Sequence, residues 1–184
     1  MSTSASKILR KVIKRFHPEG IPWPASLLYN AISGTEVFNL HYRLVAKDLA
    51  RYGPAERIID IGTGPARLLL ALRELFPESL LIGIDISSAM VAKAQQNIAS
   101  SGTNGRIEVH VAGADTLPYA DETFDRVIST GSLHHWKNPR TCLAEAHRVL
   151  KQGGLALHYD LVRNVPESVS EKIRSQIGGF RFAL

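Results

Sequence analysis

The stretch Arg57-Ile58-Ile59-Asp60-Ile61-Gly62-Thr63-Gly64-Pro65-Ala66, followed about twenty residues later by Leu80-Leu81-Ile82-Gly83-Ile84-Asp85-Ile86, constrains this chain more than any other feature. Each is a short apolar run reaching a carboxylate, the pattern of a strand buried on both faces. The first then breaks into a glycine turn and a segment whose Leu68, Leu69, Leu72 and Leu75 share one helical face. A strand, a glycine turn and a helix start aim backbone N–H groups and the positive end of a helix at a ligand. The segment reads as a nucleotide-type pocket.

Asp60 and Arg67 decide which nucleotide. The dinucleotide fingerprint G-x-G-x-x-G needs a third glycine where this chain has Arg67, and arginine there would obstruct close packing of helix on strand. A carboxylate just before the turn would repel a pyrophosphate and attract a ligand carrying an ammonium and a sulfonium. Asp60 therefore argues for an aminoacyl nucleoside. Asp85, at the end of the next strand, is placed to accept hydrogen bonds from both ribose hydroxyls.

At these residues the chain resembles the class I S-adenosylmethionine-dependent methyltransferases, in particular the small-molecule branch that includes quinone-biosynthesis C-methyltransferases. The resemblance covers roughly residues 36 to 161. The family's first signature reads D-x-G-x-G-x-G; Asp60, Gly62 and Gly64 match it, and the small Ala66 replaces the last glycine. Further matches follow in the family's order: Asp85-Ile86-Ser87-Ser88-Ala89-Met90, Gly113-Ala114-Asp115-Thr116-Leu117-Pro118, Phe124-Asp125-Arg126-Val127-Ile128-Ser129, Leu133-His134-His135-Trp136 and Arg148-Val149-Leu150-Lys151-Gln152-Gly153-Gly154.

The resemblance implies S-adenosyl-L-methionine as cofactor and assigns roles residue by residue. Gly62, Thr63 and Gly64 would make backbone contacts with its methionine part, Asp60 would lie near its ammonium and Asp85 would hold the ribose. Ile86 and Met90 would sandwich the adenine, with an ordinary core role for Met90 as the alternative. Asp115 would accept from the exocyclic amine, Ala114 would offer a backbone group, and Ser129 completes the cofactor set. The segment from Ser129 to Trp136 leaves the fourth strand at the carboxyl edge of the sheet, where open α/β folds bind ligands. His134 or His135 is the candidate catalytic base there, since imidazole titrates near neutrality, and Trp136 is a candidate surface for a flat acceptor. The adjacent histidines lack a clear third ligand, so no metal is expected. His110, His147 and His158 read as packed or surface residues, and packing is the favoured role for Tyr29 and Tyr42.

Strands are expected over 57–61, 80–85, 107–111, 125–130 and 155–161, with helices over 65–76, 87–100 and 139–150. Repeated β–α units imply an α/β fold: a Rossmann-like, doubly wound parallel sheet of the class I methyltransferase type, ordered 3-2-1-4-5. Ahead of it, residues 6–16 form an expected amphipathic helix, and a second helical region, 25–52, is cut near Ser33-Gly34-Thr35, with Phe38, Tyr42, Val45 and Leu49 on one face of its later half. Residues 1–52 thus read as an amino-terminal helical cap and 53–184 as the S-adenosylmethionine-binding part, together one domain. The family's sheet has seven strands, the last two an antiparallel hairpin, for which the residues after 161 leave no room; a helix bearing Val169, Ile173 and Ile177 is the most they offer. The reading favours a fragment, with strand 155–161 at a free edge that leaves room for a homodimer.

The net charge of +5 comes from Lys7, Arg10, Lys11, Lys14 and Arg15; the remainder of the 184 residues sums to zero. The charge therefore argues for no nucleic-acid groove across the domain, although the basic helix offers a contact for anionic surfaces. Cys142 is the single cysteine, which rules out an intramolecular disulfide. No apolar run approaches bilayer length and Met1 to Ala5 lacks a secretory plan, so the expected location is cytoplasmic. The expected function is methyl transfer to a small-molecule acceptor. The alternatives are a non-catalytic cofactor-binding or regulatory module and, third, a nicotinamide-dependent oxidoreductase, which Asp60 and Arg67 oppose.

Overall fold

The structure is a computed structural model that describes residues 36–103, 106–160 and 167. The basic helix expected over 6–16, the break at Ser33-Gly34-Thr35, Tyr29, Leu161 and the segment with Val169, Ile173 and Ile177 lie outside the described residues. In chain order the elements are α1 (Glu36–Ala50), β1 (Arg57–Ile61), α2 (Arg67–Leu75), β2 (Leu80–Asp85), α3 (Ser88–Ser100), β3 (Ile107–Val111), β4 (Phe124–Thr130), a 3-10 turn (Leu133–His135), α4 (Pro139–Val149) and β5 (Leu150–Tyr159).

The strands form a five-stranded sheet ordered β3-β2-β1-β4-β5, parallel at every pairing. The expected order is therefore the observed one. Chain direction across the sheet reverses between β1 and β4, and the loops leaving those two strands open a crevice at the carboxyl edge.

Alternation along each strand sorts the core into two layers. Ile58, Leu81, Val109 and Ile128 pack on one face with Leu68, Leu69 and Leu72 of α2, Val91 and Ala94 of α3, and Tyr42, Val45, Ala46 and Leu49 of α1. Ile59, Ile61, Ile82, Ile84 and Val127 pack on the other with Ala146 and Val149 of α4. The apolar stripe of α1 is thus spent on the sheet domain. Tyr42 is buried in that layer, which makes it a packing residue.

Several boundaries differ from the sequence expectation by a residue or two, and the start of β5 differs by more. α2 begins at Arg67 because Ala66 takes a left-handed conformation, φ 60°, which ends the turn before the helix can start. α4 stops at Val149. β5 begins at Leu150, five residues early, because Leu150 pairs with Phe124 before a bulge of Lys151–Gly154 lets Leu155 pair with Arg126. The bulge needs both glycines: Gly153 has φ +75°, and a Cβ on Gly154 would lie 2.8 Å from Leu150 Cδ1 and 2.9 Å from the Lys151 carbonyl oxygen. Among the described residues no helix is long and apolar enough to cross a membrane.

Candidate functional site

The turn after β1 is knitted to the end of β2. The Gly62 and Thr63 amides both donate to the Ile84 carbonyl at 2.9 Å, and the Gly64 amide donates to Asp85 Oδ2 at 3.0 Å. These N–H groups are therefore occupied within the protein, which corrects the expectation that they face a ligand. The reason is the close parallel pairing of β1 and β2, which brings Ile84 and Asp85 against the turn. A turn with its donors consumed suits a cationic ligand better than a phosphate. Close packing of α2 on the sheet is achieved at Gly83, where a Cβ would lie 2.8 Å from both Leu69 Cδ1 and Thr63 Cγ2. Arg67 consequently obstructs nothing.

Asp60 follows Ile58 on the face covered by α1, α2 and α3, only 2% exposed. Burial raises its carboxyl from the ordinary 3.8 to about 7; the nearby Thr63 hydroxyl opposes the rise and the Asp85 carboxylate adds to it. Among the described residues, Asp60 Oδ1 and Thr63 Oγ1 are buried without a hydrogen-bond partner. Asp85 is half-buried; its Oδ1 accepts from the Ser87 amide at 2.8 Å. Burial raises its carboxyl too, against the pull of the Ser87 and Gly64 amides. One buried acid with an orphaned oxygen and one half-buried acid make an acidic floor under the turn.

Beyond Asp85 the expected adenine residues separate. Ile86 presents a side chain that is 41% exposed, whereas Met90 is 1% exposed. So enclosed a side chain offers no surface to a ligand, and Met90 is a core residue on the inner face of α3; the sandwich with Ile86 is not formed. Ala114 is half-buried against the second core layer. Asp115 is exposed, and its Oδ1 lies 2.7 Å from where a Cβ on Gly113 would stand.

The loop after β4 closes the crevice from the other side. Ser129, 1% exposed, meets Ser132 Oγ at 2.8 Å, and Ser132 Oγ donates to the Ile61 carbonyl at 3.1 Å. The Gly131 amide donates to the Tyr159 carbonyl at 2.7 Å. His134 is held twice by Asp160, its amide donating to Oδ2 at 3.0 Å and its Nδ1 lying 2.7 Å from Oδ1. The His135 ring lies 4.0 Å from that of His134, centroid to centroid. Trp136 packs on the second core layer and meets His158 edge to face at 5.8 Å, so its ring is engaged in packing. Burial lowers the His158 imidazole below its ordinary range. His110 pairs with Glu108 at the surface, and His147 is exposed.

Sequence reasoning missed Ser132 and Asp160. Asp160 carried a legible signal, since it follows the last residue of β5 much as Asp60 and Asp85 stand at the ends of their strands. Ser132 carried none. Among the described residues no group of three His, Cys, Asp or Glu side chains is arranged to hold a metal ion.

An open parallel sheet ordered β3-β2-β1-β4-β5, with an acidic crevice at its switch point, is the architecture of the doubly wound α/β proteins. Residues 59–158 match the methyltransferase domain family, and the chain belongs to that family. It is 35% identical over 114 residues to the ubiquinone/menaquinone biosynthesis C-methyltransferase UbiE of Geotalea daltonii, a match covering 61% of this chain and 48% of that protein. It is 34% identical over 100 residues to the chloroplastic 2-methyl-6-phytyl-1,4-hydroquinone methyltransferase 1 of Oryza sativa subsp. japonica, covering 54% of this chain and 29% of that one. A candidate S-adenosyl-L-methionine-dependent methyltransferase from Methanococcus maripaludis superposes with a TM-score of 0.71 at 26% identity, over 87% of this chain and 75% of its own. The chain thus spans half or less of the length of those two curated relatives.

S-adenosyl-L-methionine fits the residues present. The orphaned Asp60 Oδ1 and Thr63 Oγ1 match an ammonium that donates to both, and the acid pair suits a cation where it would oppose a phosphate.

Proposed function

We propose that this chain transfers the methyl group of S-adenosyl-L-methionine to a small-molecule acceptor, and that a hydroxylated aromatic ring is the first acceptor class to test. The observation that carries the reading is the buried, partnerless Asp60 Oδ1 at the switch point of the sheet. A dry carboxylate of this kind is costly in the free protein and is compensated when a cation binds. The names of the two curated relatives support the acceptor class.

When bound, the cofactor supplies an electrophilic methyl group on a sulfonium. Asp60 and Thr63 would hold its ammonium, Asp85 its ribose, and Ile86, Ala114 and Asp115 its adenine. Gly62 and Gly64 would allow close approach of the methionine part, and Ser129 would brace the loop opposite. The remaining task is to orient an acceptor in line with the sulfonium and keep water out, an effect worth up to roughly 7–11 kcal/mol in the best oriented cases.

Residues 1–52 are proposed as the helical cap and 53–184 as the cofactor-binding part of one domain, a division that the packing of α1 into the sheet's core supports as a single body. Within the described residues β5 has no neighbour on its outer side, and a homodimer along that edge is the proposed assembly, to be checked by sedimentation. The deciding experiment for function is calorimetric titration with S-adenosyl-L-methionine, S-adenosylhomocysteine and NAD, paired with mass spectrometry of small molecules released from the purified protein. Binding of the two sulfur nucleosides and not of NAD is expected; tight NAD binding alone overturns the proposal.

A further inference from the structure

We infer that Asp160 is a positioning residue that fixes the imidazole of His134 so that Nε2 is presented to the acceptor as its proton acceptor. The inference rests on the methyl-transfer reading above and names a pair within that same site.

Four observations carry it. Asp160 binds His134 at two points, through the amide at 3.0 Å and through Nδ1 at 2.7 Å. A carboxylate accepting from Nδ1 selects the tautomer protonated there and leaves Nε2 with its lone pair. The pair is built from two separate strand ends, and both are anchored: the Gly131 amide bonds the Tyr159 carbonyl, and Tyr159 Oη donates to Asp48 Oδ2 at 2.8 Å. The loop carrying His134 is also seated on the cofactor turn, since Ser132 bonds the Ile61 carbonyl at 3.1 Å. Finally, the His134 side chain is 44% exposed while that of Asp160 is 20% exposed, so the imidazole is the more open member of the pair, accessible to an acceptor and to solvent.

The step balances as follows. An acceptor hydroxyl gives its proton to Nε2 as its oxygen, or a ring carbon made nucleophilic by that loss, forms a bond to the methyl carbon. The bond between methyl and sulfur breaks, its electron pair stays on sulfur, and the sulfonium becomes a thioether. The imidazolium that results lies against the Asp160 carboxyl group, and the proton leaves to water. Where the ring carbon is methylated, its own proton is lost to water afterwards as the ring regains aromaticity. A phenol or hydroquinone meets the requirement, because its hydroxyl proton must go as the ring becomes a nucleophile.

Histidine side-chain nitrogen NMR on the full chain tests the pairing without cofactor or acceptor, so its failure is distinct from failure of the methyl-transfer reading. The resonances of His134 are identified by their loss in His134→Gln. The wild type is expected to show the Nδ1–H tautomer, and Asp160→Ala a mixture of both. Asp160→Asn retains an acceptor for the His134 amide and keeps a folded comparison available if the alanine variant does not fold. Turnover is read with methylhydroquinone and radiolabelled S-adenosyl-L-methionine. His134→Gln is expected to lower kcat about 100-fold and Asp160→Ala about 10- to 100-fold, with KM little changed, and the double variant no slower than His134→Gln alone. An Nε2–H tautomer in the wild type overturns the inference, as does an unchanged kcat in Asp160→Ala or strictly additive losses in the double variant.

Discussion

Ser132 occupies the space that any side chain at Gly62 would need. A Cβ on Gly62 would stand 2.4 Å from Ser132 Oγ and 2.5 Å from Ser132 Cβ, while Ser132 Oγ bonds the carbonyl of Ile61 at 3.1 Å. The glycine turn and the loop that carries the candidate base are therefore packed against each other.

Gly62→Ala should destabilise the protein by about 1–3 kcal/mol, because the substitution combines φ +79° with that collision. Adding Ser132→Gly should recover part of the loss by removing the colliding atoms, while the cost of the positive φ stays. Urea unfolding midpoints of the single and double variants measure both terms. A single variant as stable as the wild type would contradict the contact.

The raised carboxyl of Asp60 predicts two opposite pH effects. The unfolded group titrates near 3.8 and the folded one near 7, so between those values the unfolded chain has released a proton that the folded chain keeps. Stability of the free protein should fall across that window, by on the order of 4 kcal/mol in total from this group. Cofactor affinity should instead rise with pH up to about 7 and then level off, as the carboxylate proposed to face the ammonium becomes charged. Calorimetry at pH 6 in buffers of different ionisation enthalpy should report proton release on binding. Asp60→Asn should be more stable than the wild type at pH 8 and bind more weakly, with a flat pH dependence.

Asp85→Ala removes the acceptor for the Gly64 and Ser87 amides together with the proposed ribose contact. Binding of S-adenosyl-L-methionine should weaken by about 1.5–3 kcal/mol, or ten- to a hundredfold. Isothermal titration decides, and a variant binding as tightly as the wild type refutes the role.

Tyr159→Phe removes the 2.8 Å hydrogen bond to Asp48 Oδ2 and nothing else of the ring. With a charged acceptor the loss should be about 1–2 kcal/mol, read as a lower unfolding midpoint at unchanged m-value. Burial and the Asp48 carboxylate hold the phenol above its ordinary range, so the loss should be constant between pH 6 and pH 9.

Much of this fold was legible because its signals are local. Within a short span, β1 ends, the glycine turn follows and α2 opens on an apolar face, and each step shows as period, glycine or leucine spacing. Alternating β and α units then imply a parallel sheet with its crevice at the carboxyl edge, and that edge is where Asp60, Asp85 and the segment from Ser129 to Trp136 fall.

The tertiary structure alone decided how those parts engage. The turn amides are consumed by Ile84 and Asp85 because β1 and β2 pair in register from Arg57 with Leu80 to Ile61 with Ile84. Met90 is sealed into the core because α3 rotates that face onto the sheet. Asp160 reaches His134 across 26 positions, and Tyr159 reaches Asp48 across 111; both depend on the bulge at Lys151–Gly154, which resets the register of β5 against β4. Periodicity records which face of an element is buried. It carries no record of which loop tips meet, because that depends on strand register and on backbone conformations set by packing between distant segments.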